Sequence, residues 1–436
     1  MMTEQQSQEE TFHGMLEGLY ADRITEEDGF GKLREKAWDH FLELGLPNRS
    51  TEVYKYIKLR QLFAGNYQLS HSTSLTREQF EEAIYPECKQ SCFVFVNGHY
   101  SEALSSTDAI PKKVAALPLQ EAAKTYGAFL NNHFAKTLKE ETDPFAAVNM
   151  AIFCDGLFLY IPPACELTVP IQILHVIATE HMPYYIAPRM QVFVGKGAAV
   201  DLYQTQKRIN GDSYHINMVA DFSLEDAAKV RLHQVMMDQQ SVRQLDAVRA
   251  RLKRDSHFTC LNVNSGAAGY RNDYRAVLTG ENGEAELDGV WMLAEKKESH
   301  VNILIDHQAP HCRSRQLFKG ILRDFSRSSF EGKILVRQAA QKTDAFQLNN
   351  NLLLSERAHA DSKPNLEIFA DDVKASHGAT VGRLDDEQLF YLKSRGFSDA
   401  KAKNLLVYGY CKEIIDRIPI ESLRATLKNE AEGFIA

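Results

Sequence analysis

Between residues 150 and 380 the chain repeats one habit: a short apolar-x-apolar run, a turn, then another such run. Met190, Val192 and Val194 alternate before Gly195-Lys196-Gly197 turns the chain, and Val200 and Leu202 alternate after it. Val230 and Leu232 follow Ala227-Ala228; Val290 and Met292 follow Asn282-Gly283; Ile303 and Ile305, then Ile334 and Val336, continue. Period-two alternation marks half-buried strands. No convincing helix interrupts them, which argues against βαβ units and a doubly wound sheet. More than 200 residues of short strands suit a barrel, a sandwich or a solenoid. The recurrence, although without a strict period, favours a β-solenoid whose coils share one core. Asn349, Asn350 and Asn351 fit a solenoid if their amides stack along its axis, and equally fit a turn followed by a buried strand.

The flanks read differently. Residues 1–140 read mostly as helix. Leu33, Ala37, Phe41 and Leu44 form one stripe, and Gly45 and Pro47 stop it. Cys92–Val96 has strand character. A helix is predicted over Leu119–Lys139, with Ala122, Ala123, Tyr126, Phe129 and Leu130 sharing a face, and Asp143-Pro144 marks a boundary. After residue 384, Asp385-Asp386-Glu387 opens a helix that Gly396 closes. Ser398 caps a second helix, and a third runs from Glu421 to about Lys428. The predicted division is an N-terminal helical unit over 1–145, a β core over 146–383 and a C-terminal helical unit over 384–436.

Charge narrows the function classes. Fifty Lys and Arg against 58 Asp and Glu leave a net charge of -8, a poor basis for gripping nucleic acid. Residues 1–47 carry 11 acidic and 4 basic side chains, a net of -7 that reads as a solvated helical face. The longest charge-free apolar stretches fall short of the ~18 residues of a membrane span, and the polar, acidic start is unlike a secretory signal. The expected location is the cytoplasm. Seven cysteines, loosely spaced and without a CxxC, imply reduced core residues and no disulfide framework.

Common catalytic signatures are missing. No Gly-Lys is followed by Ser or Thr, so there is no P-loop; Gly195-Lys196-Gly197 fails as a dinucleotide fingerprint; HExxH and GxSxG are absent. His300, His307, His311 and Cys312 lie close in sequence, but Pro310 and the apparent loop make a metal site the weaker reading. His377 stands where the strands end, beside Gly378, and a lone histidine there is more often structural. Ser376 and His377 form no dyad, because adjacent strand residues face opposite ways.

Four ordered blocks resemble the SufB/SufD family. They are Gln338–Ala345; Asn350–Ser355; Leu366–Lys374 with Ser376–Gly382; and Leu389–Gly396. The His377-Gly378-Ala379-Thr380 form is most like the SufD branch, as is Glu52-Val53-Tyr54-Lys55-Tyr56-Ile57, where Tyr54 and Ile57 replace the usual Trp and Thr.

The resemblance implies a right-handed parallel β-helix core between two helical domains. It implies a non-ATPase, non-catalytic scaffold subunit that assembles iron–sulfur clusters. Such a subunit pairs with a SufB-like chain through the β-helix ends and docks a SufC-like ABC ATPase, so ATP enters only through SufC. A transient cluster would be shared with SufB, and flavin is sometimes associated with the assembled complex. His377 corresponds to the family histidine at the SufB interface, where it would meet iron or the cluster. The SufC contact maps onto Phe390, Tyr391, Ser394, Arg395 and Gly396, although Leu389, Phe390 and Leu392 would also serve as packing residues. Many SufD chains carry a cysteine two residues before the histidine; here it is Ala375. The alternatives are a SufB-type sulfur acceptor, a homodimer when SufB is absent and, more distantly, a β-helix carbohydrate-active enzyme.

Overall fold

The computed structural model describes residues 4–180, 182–211, 214–237 and 242–435. Its core is a two-sheet parallel β-solenoid, with helices at both ends of the chain. The chain alternates between sheets, so spatial neighbours are next-but-one in sequence. In the first sheet Arg243–Leu252 pairs with Gly269–Leu278; in the second Lys229–Met236 pairs with His257–Asn264. A coil spans 26 residues where Arg243 meets Gly269 and 32 where Arg327 meets His359. The alternating residues of both sheets point into one lumen, where Phe222, Leu232, Val248, Phe258, Ile303 and Phe330 belong to a single buried cluster.

The coils carry a regular turn that hydrophobic alternation alone did not reveal. Ala164, Gly197, Ala227, Asp255, Asn282, His311 and Lys342 all have left-handed backbone, with φ between 55° and 66°. They recur at intervals from 27 residues (Asp255 to Asn282) to 33 residues (Ala164 to Gly197). Each donates its backbone N–H to a carbonyl of the following coil, from Ala164 to Lys196 at 2.8 Å through Lys342 to Asp372 at 2.6 Å. The next residue is always small and buried: Cys165, Ala198, Ala228, Ser256, Gly283, Cys312 and Thr343. Six of the seven left-handed positions are not glycine. Their strain is accepted because the donated hydrogen bond fixes the turn.

The N-terminal flank is less helical than its composition suggests. Helices α1 (Glu4–Ile24) and α2 (Gly31–Leu44) form, but residues 45–118 are mostly irregular. They hold one-turn α3 (Leu59–Leu62), short 3₁₀ turns and short strands. Pro47, Gly65 and the Ser/Thr-rich stretch 70–76 compete with helix through turns and local hydrogen bonds. Cys92–Val96 does form a strand, pairing with Ile171–Ala178, and Ala115–Pro118 pairs with Gly156–Ile161.

In α2, Leu33, Ala37 and Phe41 are buried, while Leu44 is partly exposed at the helix end. Helix α4 (Leu119–Glu140) is kinked at Tyr126, so the expected continuous face is broken. Ala122 and Leu130 are buried, but Tyr126 and Phe129 are exposed, with Phe129 edge-on to Phe193 at 4.8 Å. Asp143 caps α5 (Pro144–Ile152), accepting from the N–H groups of Phe145 and Ala146. These helices pack Phe12, Phe41, Phe134 and Phe145 against Phe158, Tyr185 and Leu245 of the first sheet.

The C-terminal helices are α6 (Asp386–Ser394), α7 (Asp399–Ile415) and α8 (Glu421–Gly433). Helices α7 and α8 bury Val407, Cys411, Ile414, Leu423 and Leu427 against Leu261, Val263, Val290 and Leu317 of the second sheet. Among the described residues no helix is long and apolar enough to cross a membrane.

Candidate functional site

The solenoid ends on two strands that are paired on one side only. His359–Ile368 pairs with Arg327–Val336, and Lys374–Gly382 with Asp344–Leu353; among the described residues no further strand pairs with their outer edges. Unpaired N–H and C=O groups along such an edge are a template for another chain. Apolar side chains accompany it: Ile368, Phe369 and Val381 are exposed, Phe369 by 63%.

His377 lies in the second of these strands, in register with Gln347. Because strand residues alternate, it shares the inward face of Gln347. With no further coil above it, His377 is exposed where Gln347 is fully buried. Gly332 sits against the Gln347 amide, since a Cβ there would lie 1.7 Å from Gln347 Nε2. One coil on, Gly332 pairs with Pro364 and Gln347 with His377, so Pro364 and His377 face each other across the open lumen. Ala375 packs beside the buried Ile334 and Val336, and Ser376 is exposed.

The expected amide stacking occurs at Gln347, two residues before the asparagines. Asn349 and Asn351 do point inward, but their in-register neighbours are Phe318 and Gly320, which offer no axial amide. Asn351 Nδ2 instead donates to Asn349 Oδ1 at 2.7 Å within the same strand. Asn350 faces outward and accepts from Thr380 Oγ1 at 2.8 Å. The axial pair is glutamine: Gln347 Nε2 donates to Gln316 Oε1 at 2.9 Å.

Residues 383–385 connect the terminal strand to α6, which contacts α7. Asp385 Oδ1 caps α6 by accepting from Glu387 N at 2.8 Å and Gln388 N at 3.2 Å. No residue of α6 is buried. Phe390 is 74% exposed and so is not a packing residue, whereas Leu389 and Leu392 are half-buried. Tyr391 is also exposed, with the Arg395 guanidinium 5.1 Å from its ring centroid. Ser394 Oγ donates back to Tyr391 O at 2.7 Å, and Gly396, at φ 90°, ends the helix. Phe390, Tyr391 and Arg395 thus present side chains, while Ser394 and Gly396 shape the backbone.

The other histidines do not converge. His300 Nδ1 is 2.7 Å from Ser329 Oγ, and His307 Nε2 is 2.9 Å from Ser314 Oγ. Burial holds His307 down to about 4. His311 occupies a left-handed turn position and Cys312 the small position after it. Among the described residues no group of three His, Cys, Asp or Glu could hold a metal ion. All seven cysteines are buried. Burial pushes the thiols of Cys88, Cys92 and Cys411 up to about 12 and that of Cys312 to about 11.

Sequence reasoning missed the charged seam that fixes the N-terminal flank to the first sheet. Arg249, Arg271, Arg275, Asp143, Glu141 and Asp273 form one buried network. Tyr54, in the block that resembles the SufD branch, joins it. Its hydroxyl donates to Asp143 Oδ2 at 2.8 Å, and Arg271 lies 4.1 Å from its ring centroid. The lone charges inside alternating strands were the available signal.

Comparison with known proteins agrees with this geometry. The family described as "SUF system FeS cluster assembly, SufBD core domain" matches residues 176–410, and "SufBD protein N-terminal region" matches residues 21–173. An iron–sulfur cluster assembly SufBD family protein of Synechocystis is 31% identical over 417 residues, covering 93% of this chain and 91% of that one. The iron–sulfur cluster assembly protein SufD of Escherichia coli is 42% identical over 159 residues, 36% of this chain and 38% of that one. A chloroplastic protein of Arabidopsis thaliana, ABCI7, is 25% identical over 429 residues, 93% of this chain and 86% of its own. Matched over both its solenoid and its N-terminal flank, the chain belongs to the SufBD family of iron–sulfur cluster assembly proteins.

Proposed function

We propose that this chain is a SufD-type scaffold subunit, itself non-catalytic, of a SufBCD-type complex. The observation that carries this reading is the open terminal coil, where a free sheet edge, exposed Phe369 and Val381, and His377 meet on one face. The edge pairs with the end of a SufB-like solenoid. That places His377 in the joint interface, where its imidazole contributes a ligand or a proton site to the nascent cluster, the cargo of the reaction. ATP hydrolysis belongs to a SufC-like subunit docked on Phe390, Tyr391 and Arg395. The organisation is an N-terminal unit over 1–145 that lends strands to the sheets, the solenoid over 146–383 and a docking unit over 384–436.

A role as the sulfur acceptor is disfavoured. Persulfide chemistry needs an accessible thiolate, and every cysteine here is buried. Sulfur would therefore enter through the SufB-like partner.

The test is co-expression with the SufB-like and SufC-like chains of the same organism. His377→Ala should leave the three-chain complex intact and abolish cluster assembly. Val381→Lys should release the SufB-like chain while retaining the SufC-like one. Normal assembly by His377→Ala removes the ligand role; a complex unaffected by Val381→Lys removes the edge as the SufB contact.

A further inference from the structure

The lumen directly beneath His377 contains an unfinished hydrogen-bond ladder. Gln316, Gln347 and His377 occupy one inward column on three successive coils. Gln347 Nε2 donates downward to Gln316 Oε1 at 2.9 Å. Two amide atoms of this column are buried without a partner: Gln316 Nε2 and Gln347 Oε1. The lower orphan has a simple cause. Beneath Gln316 the column continues with Leu287, which can accept nothing.

The upper orphan points to a function. An amide that donates toward the coil below turns its oxygen toward the coil above, as in any axial amide stack. The coil above places His377 there, one strand spacing away, about 4.8 Å. The Gln347 amide is not free to turn elsewhere, because Gly332 admits it only by lacking a side chain. A buried carbonyl oxygen without a donor is costly. The imidazole is the one ring donor the register supplies.

We propose that Gln347 is a positioning residue for His377. Its Oε1 accepts a hydrogen bond from one ring N–H, which fixes the tautomer and presents the lone pair of the other nitrogen outward at the open coil. The inference deepens the cluster-assembly reading of His377 and rests on it for its purpose, but not for the hydrogen bond itself. A ligating histidine is commonly held this way, by an acceptor on its second nitrogen. Here the acceptor is anchored in turn by Gln316, so the orientation is set from inside the solenoid before any partner arrives.

The experiment uses the full-length chain with ¹⁵N-labelled histidine, the His377 signals being those absent from His377→Ala. The expected result is a ring N–H proton that exchanges slowly enough to be seen, although His377 is exposed. Gln347→Met keeps the shape of the side chain, removes the acceptor and should abolish that signal. Gln347→Glu keeps an acceptor and should retain it. Gln316→Met removes the anchor without touching either partner and should broaden the signal. In the assembled complex Gln347→Met should lower the cluster-assembly rate about tenfold, with Gln347→Glu recovering it. An N–H signal unchanged in Gln347→Met, or absent from the unaltered chain, overturns the proposal. Normal assembly by His377→Ala would instead remove the purpose and leave the hydrogen bond standing, so the two failures are distinguishable.

Discussion

Arg249 grips Glu141 with both arms of its guanidinium, Nε to Oε2 at 2.8 Å and Nη2 to Oε1 at 3.0 Å. The pair ties the segment between α4 and α5 to the first sheet. Burial alone would raise the Glu141 carboxyl, but Arg249 and Arg275 overcome it and hold the group at about 2. Arg249→Met leaves Glu141 with Arg275 alone and should cost about 1.5–3 kcal/mol, the worth of hydrogen bonds to a charged group. Arg249→Met with Glu141→Leu should recover part of it. Urea denaturation of the three proteins checks this. Equal midpoints for Arg249→Met and the unaltered chain would show that the pair does not hold the flank.

The small residues after the left-handed turns form a column with no room to grow. Cys312→Leu should destabilise by about 1–3 kcal/mol through overpacking, whereas Cys312→Ala, the residue used at positions 198 and 228, should cost less. Thermal melting distinguishes these. A Leu variant as stable as the Ala variant would mean that the column is loosely packed.

Acid should weaken the fold before any carboxylate pair breaks. Burial lowers His175 and His307 to about 4, and His215 and His233 to about 3. Below the unfolded value of 6.5 the unfolded chain takes up protons that the folded chain refuses, so stability is lost as pH falls from 6.5 toward 4. Asp246 and Asp288 act oppositely. Burial raises both to about 6, so the folded chain binds their protons first and gains as pH falls from about 6 toward 3.8. Four histidines outweigh two carboxyls, each at most about 1.4 kcal/mol per pH unit. The urea midpoint should be lower at pH 5.5 than at pH 7.5; a flat or rising profile would contradict the burial of these histidines.

Phe390 and Tyr391 project from a helix with no buried residue. Replacing both with Ala should leave the melting temperature unchanged and weaken capture of the SufC-like chain by about 30-fold or more, the effect expected of an aromatic anchor pair. Unaltered capture would move the docking site elsewhere on the C-terminal helices.

The solenoid was legible because alternation survives translation from coil to coil: Val230, Leu232, Ile303 and Ile305 all face the lumen as expected. Its period was hidden because coil length varies. The repeat resides in one left-handed residue followed by one small one, and no residue type is shared by Ala227, Asp255, Asn282, His311 and Lys342. Residues 45–118 misled because little in their pattern separates them from the helices on either side; only Cys92–Val96 is legible there as a strand, and its Phe93 and Phe95 complete the lumen of the first coils. At the candidate site, resemblance picked out His377 and α6, but only register shows what lies under the histidine. Gln316 and Gln347 are 31 residues apart, and nothing local marks either as the other's partner.

The turn ladder has a direction. Each of the seven turn residues, from Ala164 to Lys342, gives its N–H to a carbonyl nearer the C-terminal end. The last recipient is the carbonyl of Asp372, and residues 369–373 include no left-handed residue to pass the bond on. On that seam the rod finishes at a carbonyl already engaged by Lys342, while the Asp372 N–H turns back to Gln341 Oε1. A second copy added head to tail could not extend the seam in kind, so a molecule built by repetition carries its own full stop, and whatever joins its open end must do so along the sheet edges.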